Sequence, residues 1–367
     1  MEPTCAQRPL APPFISVYHS LLMNDKPAAI LDVIIPTRNE AARLPALVAQ
    51  LRAQRGAVLR IVACDGGSED ETIPLAERFA DAVVVSAPGR GAQMNAGADA
   101  AQTAWLLFLH ADSGLTQPTL LADALTALRQ RCKKLGHDRV AGHFPLRFTD
   151  ACPDILNALR FHELKSALNR LGCINGDQGL LISRRFFSEL GGFDDTLGYL
   201  EDQKLAARIF AQGQWMTLPG ALETSARRFE QESVGPRRAL NALIMTAHHT
   251  GLESFFPRAA DAYREQSRAE RLNLTPFVSH FLNAVGDAGV SIGIRRWGRV
   301  GRYLAANLWQ LALLAQQRTG KPWLARFDRW LAPGLDSTMV GWLLTPLAWG
   351  ALHALRFGGA IGERYRS

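Results

Sequence analysis

Four times in the first third of the chain, a short apolar run breaks into a polar turn. The runs are ILDVIIP before TRNE, LRIVAC before DGGS, AVVV before SAPGRG, and WLLFL before HADS. Runs this rich in Val, Ile and Leu read as buried strands, beginning with Ile30–Pro36. The segments between them carry helical spacing, as in Leu44, Leu47, Val48 and Leu51 on one face. Strands alternating with helices imply right-handed βαβ units, hence an α/β domain with a mostly parallel central sheet. All strands of such a sheet end at the same edge. The polar residues after each strand, Thr37 to Glu40, Asp65 to Ser68, Arg90 with Gly91, and His110 to Asp112, are therefore expected to converge there. That convergence points to a nucleotide-like ligand.

Local signals extend the pattern. Ser68 followed by Glu71 has capping-box spacing and predicts a helix start at Ser68. Pro118 is expected to open the helix after the fourth strand. RVAGHFPLRF reads as one added strand and CPDILNALRFHELKSALNRLG as a helix. INGDQGLLISRRFFSELGGF reads as a strand and a short helix, with glycines around Asp177. A further helix starts at Glu201-Asp202, and ETSARRF reads as a loop with adjacent arginines. The chain has 367 residues, more than one ordinary domain. The expected division is a tail over 1–29, a catalytic domain over 30–235 and a helical module over 236–367. Five cysteines with no C-x-x-C pair argue against a zinc ribbon or a thioredoxin-like centre. Their odd number, and an N-terminus without the apolar core of a signal peptide, fit a reducing cytosol.

Charge is concentrated. Ala288 to Ser367 holds eleven Arg and Lys against three Asp and Glu, a balance of +8 in a chain whose net charge is +7. The same segment holds six of the eight tryptophans: Trp297, Trp309, Trp323, Trp330, Trp342 and Trp349. Two readings stand. Arg and Trp bordering apolar runs suit a bilayer interface with anionic lipid. The same residues also suit a small helical subdomain with buried tryptophans. No nucleic-acid-binding motif accompanies the basic charge, so no nucleic-acid partner is expected.

Seven segments in order, VIIPTRNEAARLPALVAQL, VACDGGSEDET, GRGAQMNAGADAA, LLFLHADSGL, GDQGLLISRRFFSELGGFDD, LEDQKLAARI and TSARRFE, resemble the family-2 inverting glycosyltransferases. The resemblance is to a bacterial subgroup associated with radical-SAM and selenium-domain proteins, related to enzymes that glycosylate an apocarotenoid carboxylate. It covers roughly Leu31 to Glu230. It implies a GT-A-like fold with a C-terminal helical extension, and a nucleoside-diphosphate sugar donor of UDP type. It also implies donor contacts from Pro36, Thr37, Asn39, Glu40, Asp65, Ser68, Arg90 and Asn95, with Gly97 in the covering helix. Arg227 and Arg228 would lie near the diphosphate, Asp202 would be the catalytic carboxylate, and Asp112 with His110 would occupy the position that holds a divalent metal, Mn²⁺ or Mg²⁺.

The chemistry agrees with these assignments. Inverting transfer needs a carboxylate to take the acceptor proton opposite the leaving group. The departing diphosphate needs positive charge, from a divalent cation or from arginine. Each residue also has a plainer reading. Glu201-Asp202 suits any helix N-terminus, Arg227-Arg228 suits a solvated surface, and Asp65 suits a turn. His110 is either a metal ligand or a neighbour that hydrogen-bonds the nucleotide. With the Arg/Trp module, the whole chain reads as a transferase acting on a hydroxyl or carboxylate of a lipid-like acceptor at the cytoplasmic membrane face. Two other classes compete. A sugar-nucleotide-forming nucleotidyltransferase would carry glycine in its first loop, which PTRNEAARL lacks. A non-catalytic nucleotide-binding scaffold would not need Asp112 and Asp202.

Overall fold

The computed structural model describes residues 29–196, 200–266, 272–335 and 337–364. The expected tail over 1–29 lies almost entirely outside these residues. The chain divides into two compact units: residues 1–147 with 166–224, and residues 148–165 with 225–367. The chain passes between them in two strands and at the end of one helix.

The first unit is built on a seven-stranded sheet. In chain order its elements are β1 (Ala29–Thr37), α1 (Leu44–Arg52), β2 (Ala57–Asp65), α2 (Thr72–Phe79), β3 (Ala82–Val85), α3 (Arg90–Asp99), β4 (Trp105–Phe108), β5 (Gly114–Leu115), α4 (Leu120–Leu135), β6 (Val140–His143) and β7 (Leu146–Thr149). After α5 (Pro153–Ser166), which is counted with the second unit, come β8 (Leu180–Ser183), α6 (Arg184–Glu189), α7 (Glu201–Gln212), β9 (Gln214–Thr217) and β10 (Leu222–Ser225). The sheet order is β3-β2-β1-β4-β8-β6-β9. β3, β2, β1 and β4 pair in parallel, β8 pairs antiparallel with both β4 and β6, and β9 is parallel to β6. Only β8 runs against the rest, so the sheet is mostly parallel as expected.

The strand order reverses its direction of growth between β1 and β4, the position where an open α/β sheet leaves a crevice at its carboxyl edge. β8 runs the other way, so its entry turn, Asn175 to Gln178, reaches that same edge. Apolar cores form on both faces of the sheet. Leu31, Val33 and Ile35 pack one way with Leu44, Leu47 and Leu51; Ile34 packs the other way with Met94, Phe186 and Ile209. The alternation along β1 is the period-2 pattern of a strand buried on both faces.

Three local expectations are corrected. The helix after β2 begins at Thr72, and Ser68 does not cap it; its hydroxyl is used in the turn described below. RVAGHFPLRF forms two strands, β6 and β7, divided at Phe144-Pro145, where proline has no N–H for a ladder bond. ETSARRF is no loop: it gives β10 and then the short helix α8 (Arg227–Glu232).

The second unit is helical: α5 and α8, then α9 (Val234–Thr250), α10 (Phe255–Glu265), α11 (Thr275–Gly286), α12 (Val290–Ala306), α13 (Trp309–Thr319), α14 (Trp323–Trp330), α15 (Ala332–Leu335) and α16 (Thr338–Arg364). Phe255, Phe277 and Phe281 are buried at its centre, with the Phe255 and Phe281 rings edge to face at 5.9 Å.

Candidate active site

The first two strand ends are laced together by their own polar groups. Asp65 is fully buried, and both its oxygens are engaged. Oδ1 accepts from the amides of Gly67 and Ser68 at 2.9 and 2.8 Å. Oδ2 accepts from Ser68 Oγ at 2.5 Å and Thr37 Oγ1 at 3.2 Å. The β1 turn leans on the β2 turn through successive amides: Asn39 donates to Ser68 Oγ, Glu40 to Thr72 Oγ1 and Ala41 to Asp70 Oδ2. Asn39, at φ 56°, returns the contact by accepting from the Glu69 amide. Asparagine is among the few side chains that tolerate this left-handed conformation. Gln93, from α3, donates to the carbonyls of Thr37 and Cys64 at 2.6 and 2.8 Å and so ties both strand ends to the helix. Sequence reading passed over Gln93.

Each of the expected donor contacts has a definite place. Pro36 is buried within β1. Thr37, Asn39, Asp65 and Ser68 form the turn scaffold just described. Glu40 pairs with Arg43 at 2.9 Å. Arg90 is the exposed first residue of α3. Asn95 spends its amide on the Phe193 backbone, donating at 3.0 Å and accepting at 2.9 Å. Gly97 lies where a Cβ would collide with Ile34 and Cys64, so it permits the helix to approach the sheet. Arg227 and Arg228, both exposed, belong to the second unit at the start of α8.

The reactive-looking groups collect at the other side of the crevice. His110 and Asp112 follow β4. His110 is buried, and its Nδ1 is 2.9 Å from Asp177 Oδ1. Asp112 is exposed and, among the described residues, makes no hydrogen bond or ion pair. Asp202 stands in the first turn of α7, half-buried. Its Oδ2 accepts from the Gly176 amide at 2.7 Å and its Oδ1 from Gln203 N–H at 2.8 Å. Gln203 donates in turn to the Ile174 carbonyl and to Asn175 Oδ1, fixing α7 to the β8 entry turn. Leu200 enters α7 at φ 62°, a left-handed conformation strained for leucine. A methyl group on Gly176 would stand 2.9 Å from His110 Nε2 and 3.7 Å from Asp202 Oδ2. The imidazole edge and the carboxylate therefore flank the same glycine. Glu201 is buried beside them. Burial, and then the charge of Asp202, push its carboxyl above the ordinary range, opposed by Arg90 and His110.

No group of three His, Cys, Asp or Glu side chains among the described residues could enclose a divalent cation. Asp112 fits, because a free exposed carboxylate suits an ion that takes its other oxygens from phosphate and water. His110 fits poorly: Nδ1 is taken by Asp177 and Nε2 faces Gly176.

Residues 32–187 match the family Glycosyl transferase family 2. The PGL/p-HBAD biosynthesis glycosyltransferase of Mycobacterium bovis (strain BCG / Pasteur 1173P2) is 38% identical over 102 residues, which is 26% of this chain and 40% of that protein. The protein of the same description, Rv2957, from Mycobacterium tuberculosis (strain ATCC 25618 / H37Rv) gives the same figures. The chain thus spans about two fifths of the length of the curated relatives it matches. Among solved structures, S. aureus TarS 1–349 in complex with UDP-GlcNAc aligns over 82% of this chain and 91% of its own, at 14% identity and TM-score 0.44. The mannosyltransferase PcManGT from Pyrobaculum calidifontis, in complex with GDP-Man and Mn²⁺, aligns over 91% and 94%, at 16% identity and TM-score 0.42.

Proposed function

We propose that the protein transfers a sugar, with inversion, from a nucleoside-diphosphate sugar of UDP type to a hydroxyl on a lipid-like acceptor, at the cytoplasmic face of a membrane. Asp202 is the base. Its Oδ2, held by the Gly176 amide, takes the acceptor's proton as the acceptor oxygen bonds the anomeric carbon, and the nucleoside diphosphate departs with the electron pair of the broken bond. The carrying observation is the placement of Asp202 beside His110 and the crevice between β1 and β4, where an α/β sheet binds nucleotides. A base with this placement favours a hydroxyl acceptor over a carboxylate, which has no proton to give up at neutral pH. The sequence resemblance to the apocarotenoid-carboxylate enzymes is therefore a guide to the hydrophobic character of the acceptor rather than to its reacting group.

The laced turns of β1 and β2, with Thr37, Asn39, Asp65 and Ser68, shape the floor on which the nucleoside lies, while Pro36, Glu40 and Asn95 complete that wall. Arg90 serves the diphosphate. Asp112 would hold a divalent cation, Mn²⁺ or Mg²⁺, which supplies positive charge for the leaving diphosphate. The Arg- and Trp-rich second unit provides the membrane contact, peripheral and at the inner face.

Donor binding is measurable without an acceptor. UDP-sugars with Mn²⁺ are expected to raise the melting temperature, as a ligand selective for the folded state must. Asp112→Asn is expected to lose most of the Mn²⁺-dependent part of that rise. Its own ligand-free stability should stay within about 0.5 kcal/mol of the parent, as for an exposed side chain without partners. No rise with any UDP- or GDP-sugar would overturn the reading.

A further inference from the structure

Thr338–Arg356, within α16, has the length and composition to cross a bilayer, and only 17% of the stretch is buried. Two features of the helix bear on whether it does. One side is open: Met339, Leu343 and Leu347 recur every fourth residue and are 71%, 68% and 68% exposed, so they form one apolar stripe. The other side is closed against α12. Glycines make that contact possible, since a Cβ on Gly301 would collide with the Gly341 carbonyl, and one on Gly341 with Arg302. Gly298 faces the Trp342 indole, and Thr345 Oγ1 donates to the Trp297 carbonyl at 3.3 Å. Residues 297 and 302 thus meet 345 and 341, an antiparallel pairing that keeps the two helices side by side.

α12 carries Arg295, Arg296, Arg299 and Arg302 within two turns. Among the described residues, only Arg296 of these four is paired with a carboxylate, Asp287. If α16 crossed the hydrocarbon, it would draw this arginine-rich helix in beside it, and intramembrane arginines are rare and costly. Laid flat, the same pair of helices sets the stripe toward the acyl chains and leaves the guanidinium groups at headgroup depth. α14 has the same interfacial chemistry. Trp330 and Trp323 are exposed, with Arg329 and Arg326 against their rings at 4.9 and 5.0 Å. The balance of +8 over residues 288–367 complements an anionic surface.

We infer that α16 lies in the plane of an anionic bilayer surface, its Met339–Leu343–Leu347 stripe in the interface, and does not cross the membrane. The inference rests on the proposal that the second unit meets a membrane, and refines it.

The test is flotation of the full chain with vesicles of phosphatidylcholine alone and of phosphatidylcholine with phosphatidylglycerol, joined to alkaline-carbonate extraction of cell membranes. Expected are flotation with the anionic vesicles only, reversal by high salt, and full release by carbonate. Leu343→Glu with Leu347→Glu should weaken vesicle binding about tenfold or more, through loss of buried apolar area; its circular dichroism melt reports whether it folds. A measurement needing no variant is quenching of tryptophan fluorescence by labelled lipids. It should be strongest with the label near the headgroup. Carbonate resistance with mid-chain quenching would overturn the flat placement while leaving membrane contact standing. Absence of flotation with either vesicle would overturn both. A dimer broken by the double substitution, without vesicle binding, would assign the stripe to a second copy of the chain.

Discussion

Glu201 and Asp202 are neighbours in sequence with opposite surroundings. Asp202 is half-buried and takes two amide hydrogen bonds, one on each oxygen, which hold its carboxylate in place. Glu201 is buried, next to a second carboxylate, and its carboxyl titrates above the ordinary value near 4.5. The sign of the consequence is fixed by linkage. A carboxyl whose folded value is raised contributes its stability fully below the unfolded value and loses it as pH climbs through the folded one. The parent is therefore expected to lose melting temperature as pH rises from about 4.5 through the raised Glu201 value, with no further loss from this group above it. Glu201→Gln is expected to flatten that decline, with its largest relative gain at the alkaline end. Paired melts across the range check this, and an unchanged slope in the variant would contradict it. The sequence marked Glu201-Asp202 as a pair but gave no means to tell the buried member from the half-buried one. That difference arises from α7 being stapled to Asn175 through Gln203, a contact 28 residues away in sequence.

At the scale of elements, β1 to β4 and α1 to α4 were legible because their signal is periodic and local. β8 was legible as a strand but not in its direction. An antiparallel strand inside a parallel sheet reads the same along the chain, yet its direction decides which end of the strand carries the site. The reversal is what brings Asp177 to His110. It turns a histidine that sequence alone left open between metal ligand and nucleotide neighbour into half of a hydrogen-bonded pair. Close packing of helix on sheet was also invisible. The resemblance places Gly97 in a helix that covers the nucleotide, whereas its missing Cβ makes room for Ile34 and Cys64. Gly97→Ala is expected to cost about 1–3 kcal/mol, as overpacking of a core does. It should act through stability with little change in donor affinity near neutral pH. A denaturant titration beside a donor titration separates the two. A variant of full stability would show that the helix has freedom the close contact denies.

For the molecule as a whole, composition foretold two characters in one chain: an α/β part, and a helical part bearing the positive charge and most of the tryptophan. The exact division was not legible. Residues 148–165 belong with the helical unit although they interrupt the α/β sequence, because a contiguous reading cannot see a helix that leaves one unit and returns. The central claim, that this chain is an inverting transferase with Asp202 as its base, joins the α/β unit's geometry to a reaction. Release of free nucleoside diphosphate from UDP-sugars, with Mn²⁺ and a hydrophobic alcohol acceptor present, measures it most directly, comparing the parent with Asp202→Asn. The expected result is acceptor-dependent release by the parent, and a fall of about 10²–10⁴-fold in kcat for Asp202→Asn, with donor-induced stabilisation retained. Equal release by the two proteins would contradict the account.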